Sequence, residues 1–257
     1  MINCISAKTS NFTCDKTLCY NLETAIHLCD ISYKEPNDIN CQAIYISHDI
    51  TDTQCYIFSK DSSLIVCFRG TSSLKDVKTD LDILLVDIKI GSVNCKVHSG
   101  FYKQYISIAD ALFEHISKNL HFNELIICGH SLGGALATFA SLDLIHKLPN
   151  CNIKCITFGS PRVGDLDFVN LYNKKVKKSY RIVNHRDPIQ YFPIHNSYYH
   201  VHPSICFKKN IIVMKYKVHG YIRILNLIKN IDWLNPIKYH KTQYYAKKLT
   251  LLKSYIT

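Results

Sequence analysis

Residues Gly129-His130-Ser131-Leu132-Gly133 form a G-x-S-x-G pattern. Such a pattern supports chemistry when it closes a sharp strand-to-helix turn, which lifts a serine hydroxyl clear of a sheet to attack a carbonyl. The flanking sequence supplies that context. The apolar stretch Glu124–Cys128 precedes it, and the small-residue stretch Leu132-Gly133-Gly134-Ala135-Leu136-Ala137 follows, as a strand and a helix start would. The glycines leave room where a side chain would strike the adjacent strand or helix. At a helix N-terminus, the incipient oxyanion on Ser131 would meet backbone N–H groups and the positive end of the helix dipole.

A serine nucleophile needs a base, and the base needs an acid to orient it. The acids after Ser131 are Asp143, Asp165, Asp167, Asp187 and Asp232. Asp143 falls within the helix that follows the nucleophile. Asp165 and Asp167 follow the turn Ser160-Pro161-Arg162 and suit the cap of another helix. Asp187 directly follows the strand-like run Tyr180–Asn184, in a loop with Pro188, at a strand's C-terminal end. Five histidines lie downstream: His195, His200, His202, His219 and His240. In an extended segment His202 shares a face with His200. His240 falls in a stretch that reads as a C-terminal helix, where a surface or core role suits it better. His130 reads as a structural hydrogen-bonding residue.

The elements that would position these groups are legible as apolar runs of strand length. They are Ala43–Ile46, Cys55–Phe58, Leu64–Phe68, Leu125–Cys128, Ile153–Phe158 and Tyr180–Val183. Leu64–Phe68 and Leu125–Cys128 are continuous rather than alternating, which suits strands covered on both faces. Helix-like stretches, Phe101–Lys118 and Leu132–Lys147, lie between them, the second stopped by Pro149-Asn150. The alternation predicts a mostly parallel sheet with helices on both faces, an α/β sandwich. Two further helices are predicted over Tyr221–Ile231 and Lys238–Ile256, split by Asn235-Pro236. In the second, Tyr244, Tyr245, Leu249, Leu252 and Ile256 form an apolar stripe, with Lys247, Lys248 and Lys253 off it.

Three further stretches resemble the class 3 (fungal-type) lipases. They are Ile65-Val66-Cys67-Phe68-Arg69-Gly70-Thr71, Val97-His98-Ser99-Gly100-Phe101 and Thr157-Phe158-Gly159-Ser160-Pro161-Arg162-Val163-Gly164-Asp165. With Gly129–Gly134 they stand in the family's order and cover about residues 40–205. The resemblance implies an α/β-hydrolase fold and a serine esterase of lipid esters, acylglycerol or phospholipid, that needs no metal or organic cofactor. It implies Ser131 as nucleophile and Asp187 as the acid in Val183–Pro188. It also implies His200 as the base, in the aromatic-x-His element Tyr199-His200-Val201. The oxyanion hole would combine the backbone N–H groups of Thr71 and Leu132, with the Thr71 hydroxyl as a third donor; losing one donor costs about 3 kcal/mol of barrier. A lid helix is implied over Ser73–Leu81, where the family's common tryptophan is replaced by Val77. Arg69, Arg162, Arg181 and Arg186 read as structural clamps, because a bidentate guanidinium cannot be swapped for an ammonium. The rival reading is a catalytically silent lipase-like binding domain.

The chain has 257 residues and no repeat or Gly/Ser/Pro linker, so a single domain over 1–257 is expected. Its formal charge of +11 invites a nucleic-acid reading, but the charge is local. Residues 201–257 hold 11 of the 31 basic residues and one of the 20 acids, a net +10, which leaves +1 for residues 1–200. No nucleic-acid reader motif accompanies it. A basic appendage over about 206–257 on a lipid esterase fits an anionic membrane surface better, and its oligomeric state is open. The first twenty residues show no apolar signal core and no run spans a bilayer, so a cytoplasmic or peripheral membrane location is expected. The 12 cysteines lack paired metal spacing, and Cys67, Cys128 and Cys155 sit in apolar runs, so reduced structural cysteines are expected.

Overall fold

The two continuous apolar runs become neighbouring interior strands. In the computed structural model β3 (Ser63–Phe68) and β6 (Glu124–His130) pair in parallel, with Leu64 opposite Leu125 and Cys67 opposite Cys128. The structure describes residues 15–39, 42–71, 84–208, 211–215, 232, 235 and 237–250. The sequon Asn11–Thr13, the lid stretch Ser73–Leu81, His219, the expected helix Tyr221–Ile231 and the tail from 251 lie outside the described residues.

Before β3 come β1 (Ala43–His48) and β2 (Thr53–Lys60); after β6 come β7 (Ile153–Phe158), β8 (Lys178–Asn184), β9 (Ser204–Lys208) and β10 (Ile211–Lys215). They form an eight-stranded sheet in the order β1-β2-β3-β6-β7-β8-β9-β10. The five strands from β3 to β9 run parallel, and antiparallel pairs finish both edges. A separate hairpin joins β4 (Leu85–Ile90) to β5 (Val93–His98). In the apolar run Ile83-Leu84-Leu85-Val86, Leu84 is 60% exposed while Val86 packs against the core.

Helices cover both faces, as the α/β pattern predicts. One face carries α2 (Ser99–Lys118), α3 (Leu132–Lys147) and α4 (Leu166–Lys175). The helix α3 is buried over most of its length, against β3, β6 and β7, which explains its lack of a polar stripe. Asp165 caps α4 by accepting a 2.9 Å hydrogen bond from Phe168 N–H, as its position after the turn suggested.

The other face carries α1 (Lys16–Ile31), a helix that hydropathy reading of the N-terminus passed over, and α5 (Thr242–Leu249). The expected helix Lys238–Ile256 is not continuous. A short 3-10 turn, Lys238–His240, ends at Lys241, whose ψ of 143° is extended, and α5 starts only after it. Tyr245 and Leu249 are buried against the sheet while Lys241 and Lys247 face solvent. Among the described residues the cysteine expectation is met by Cys29, Cys55, Cys67, Cys95, Cys128, Cys151, Cys155 and Cys206, which carry no disulfide, and fails at Cys19, which is disulfide-bonded.

Candidate active site

Ser131 closes the turn between β6 and α3 with φ of 58° and ψ of −128°, a strained conformation for a residue with a side chain. Close packing holds it there. A Cβ on Gly129 would lie 2.2 Å from the Gly133 carbonyl carbon, and one on Gly133 would lie 2.2 Å from the Phe68 carbonyl oxygen. The glycines therefore let the helix start press against both β6 and the end of β3. Ser131 N–H donates to Phe158 O at 2.9 Å, tying the turn to β7 as well. Leu132 is the first residue of α3, so its N–H lacks an intrahelical acceptor. Thr71 is half-buried, three residues beyond the end of β3, at the same edge of the sheet.

Asp187 lies three residues beyond β8, fully buried. Three donors converge on its carboxylate: Ile189 N–H at 2.8 Å, Tyr245 O–H at 2.6 Å and His240 Nδ1 at 2.8 Å. Burial and then the adjacent Asp187 charge hold the Tyr245 phenol well above its ordinary range, so it remains a donor.

The histidine at Asp187 is therefore His240, and the expectation for His200 is corrected. His200 Nε2 bonds Gln190 O at 2.6 Å, and His202 Nε2 bonds Val176 O at 2.7 Å. His195 accepts from Ser197 N–H. The reason is tertiary. The turn before α5 folds back over the end of β8 and carries His240 across 53 residues of sequence to Asp187. Asn184 Nδ2 donates to Tyr239 O, and Arg186 donates to the Tyr239 hydroxyl at 2.6 Å, pinning the turn from below.

His240 is buried, with Nδ1 committed to Asp187 and Nε2 without a hydrogen-bond partner among the described residues. His130, the neighbour of Ser131, packs against it with ring centroids 4.4 Å apart and planes tilted by 34°. His130 Nε2 bonds the His240 carbonyl, so that nitrogen carries the proton and Nδ1 accepts from Tyr33 O–H at 2.8 Å. Burial, and then His240, hold the His130 pKa well below its ordinary value, consistent with this neutral form. The expected structural role of His130 thus acquires a specific content: it ties α1's C-terminal turn to the backbone of His240.

The pair is closely fitted at Gly159, whose φ is +57°. A Cβ there would lie 2.5 Å from Asp187 Oδ2 and 3.0 Å from both His240 Nδ1 and the Tyr245 hydroxyl. The arginines act as structural clamps where they are seen. Arg162 donates to Pro193 O at 2.7 Å and Arg181 to Val201 O at 3.3 Å, with burial bringing the Arg181 pKa down to about 10. Sequence reading missed His240, Tyr245 and Tyr33. The one available signal was a buried-type tyrosine, Tyr245, on the stripe of a basic segment that starts with Tyr239-His240.

A serine on a strained elbow, a buried acid–histidine pair and a strand-end threonine, all gathered at the C-terminal ends of parallel strands, define an α/β-hydrolase-like fold. The profile of the family Lipase (class 3) matches residues 65–197, more than half of the chain. The chain belongs to the class 3 lipase family. It is 30% identical to a lipase of Rhizopus niveus over 164 residues, 61% of this chain and 41% of the relative. It is 33% identical to a secreted mono- and diacylglycerol lipase of Malassezia restricta over 151 residues, 54% of this chain and 50% of the relative. The chain thus spans about half or less of the length of these relatives. Among solved structures, the Rhizomucor miehei triacylglyceride lipase superposes with a TM-score of 0.72 at 21% identity, covering 91% of this chain and 99% of that one, a likeness of fold. The family match ends at residue 197, before both His200 and His240.

Proposed function

We propose that the protein is a serine carboxylic-ester hydrolase acting on lipid esters. The observation that carries this reading is the buried Asp187–His240 pair delivered against the residue next to Ser131. His240 Nε2 would take the Ser131 proton as Oγ attacks the ester carbonyl, and then return it to the leaving alcohol. Asp187 would hold the ring so that Nε2 is the accepting nitrogen and would stabilise the imidazolium. The N–H groups of Leu132 and Thr71, with the Thr71 hydroxyl, would bind the tetrahedral oxyanion. Water activated by the same histidine would release the acyl group. Every step uses groups of this chain, with Ser131 and Asp187 as expected and His240 in place of His200.

Acylglycerols are the favoured substrates, supported by the names of the Rhizopus, Malassezia and Rhizomucor relatives. Hydrolysis of a panel of mono-, di- and triacylglycerols and phospholipids, with Ser131→Ala as blank, tests this. Cleavage of phospholipid alone would overturn the acylglycerol assignment, cleavage that survives in Ser131→Ala would overturn Ser131 as nucleophile, and no cleavage at all would favour the silent binding domain. We further propose that the protein works as one domain at a membrane face. The support is the net +10 of residues 201–257 and the solvent-facing Lys238, Lys241 and Lys247. Each well-placed lysine contributes about 1 kcal/mol at an anionic surface. Among the described residues eight cysteines carry no disulfide while Cys19 is bonded, so the thiols point both ways, and of the two expected locations the basic surface favours the peripheral membrane one. Equal binding to neutral and anionic vesicles would remove it.

A further inference from the structure

On the sheet face opposite α3, three cysteines from three elements meet: Cys29 of α1, Cys67 of β3 and Cys128 of β6. All are fully buried, and their sulfurs lie within 4.8 Å of one another. Cys67 and Cys128 are register partners on adjacent parallel strands, and a hydrogen bond links Cys67 to Cys29 across 3.9 Å. We propose that Cys29, Cys67 and Cys128 form a buried three-sulfur site for a soft monovalent metal ion, copper(I) being the ion that fits.

Distance, donor type and charge each support the choice. Three sulfurs about 2.3 Å from a central ion lie about 4.0 Å apart when the ion sits in their plane, close to the observed spacing. Soft sulfur donors select copper(I), zinc or iron–sulfur clusters, and a closed zinc site requires a fourth ligand. Among the described residues no fourth His, Cys, Asp or Glu joins this group, and no other such group of three is found. The other buried cysteines without a disulfide, Cys55, Cys95, Cys155 and Cys206, stand outside it, so filling core space with cysteine does not by itself produce the cluster.

The surroundings are apolar, with Tyr56, Ile65, Ile126 and Ile156 in the same cluster, so a net charge there would be costly. A monovalent ion needs one thiolate to be neutral there. As copper(I) binds, one of the three thiols gives its proton to solvent and forms a copper–sulfur bond, and the other two sulfurs complete the shell through their lone pairs, with no change of oxidation state. Because the sulfurs are sealed from solvent, the ion enters as the chain folds. Sequence spacing could not show the site, because its ligands stand 38 and 61 residues apart and meet only through strand pairing and the docking of α1.

The test is anaerobic refolding of the full chain under reductant with copper(I) held by bicinchoninate, then removal of the chelator. The expected result is one retained copper per chain, one proton released, and an X-ray absorption shell of three sulfurs. Cys29→Ala, Cys67→Ala and Cys128→Ala should each lose that equivalent, while Cys155→Ala, a buried thiol outside the cluster, keeps it. Circular dichroism checks that each variant has folded, and the sulfur shell of the unmutated chain reads the site without any variant. No retained copper, retention in all three variants, a two-sulfur shell, or oxidation of Cys29 and Cys67 to a disulfide in place of binding would each overturn the proposal.

Discussion

Tyr245 shows how much of the site depends on groups that never touch a substrate. Its hydroxyl donates to Asp187 and accepts from Asn184 N–H at 3.1 Å, joining α5 to the end of β8. Tyr245→Phe removes one of three donors to a buried carboxylate, and hydrogen bonds to charged groups contribute about 1.5–3 kcal/mol. Denaturant unfolding should register a loss of about 2 kcal/mol with an unchanged fold; no loss would mean that Asp187 is held well enough by Ile189 and His240. His130 gives a second residue-scale expectation. Its proton-poor form is part of the folded state, whereas in the unfolded chain a histidine titrates near its ordinary value of 6.5. Below about pH 6.5 the unfolded state therefore binds more protons than the folded one, and stability falls as pH drops. The half-buried His202, lowered by burial, acts in the same direction. His130→Gln can still donate to His240 O and accept from Tyr33 without titrating. Its stability should therefore fall less steeply between pH 7 and 5, measured by denaturant unfolding at each pH; an unchanged slope would contradict the assignment.

Strand ends carry the site, and this is the scale at which the sequence was most readable. Ser131 follows β6 directly and Asp187 lies three residues beyond β8, so a local pattern of apolar run plus turn pointed to both, whereas Thr71, three residues beyond β3, was implied by the family resemblance. Helices α2 and α3 were legible for the same reason, since their periodicity and stops are local. His240 was not legible, because its partner is chosen by how the 3-10 turn and α5 dock on the sheet, not by its neighbours in sequence. Two nearer histidines also stood in a plausible segment, and only their backbone-directed bonds at Gln190 and Val176 separate them from the site. The loop after β7 offers a test of this packing. Gly159→Ala forces a side chain into a left-handed backbone and against the Asp187–His240 pair. The variant should lose at least about 1 kcal/mol of stability from backbone strain alone, together with most of its esterase activity. Wild-type stability and rate would show that the pair is looser than the structure implies.

At the scale of the whole molecule, the basic surplus and part of the candidate site share one segment. Residues 1–200 carry a net +1 together with Ser131, Asp187 and Thr71, and the C-terminal segment carries the basic surplus together with His240, which bonds Asp187. The segment is therefore packed into the fold and not only appended to it: α5 buries Tyr245 and Leu249 on one side and exposes Lys247 on the other. A truncation before residue 238 is expected to abolish esterase activity in a purified, folded protein, measured on a soluble ester. Retained activity would show that the segment serves only as a surface.

In the proposed mechanism His240 takes the proton of Ser131 while Asp187 orients the His240 ring. Comparing kcat of His240→Ala and His200→Ala on one soluble ester, with Ser131→Ala as blank, tests it most directly. Loss of the base should cost about 10²–10⁴-fold in His240→Ala, while His200→Ala stays within a few-fold of the unmutated enzyme. The reverse pattern would assign the base to His200 and overturn the role given to His240.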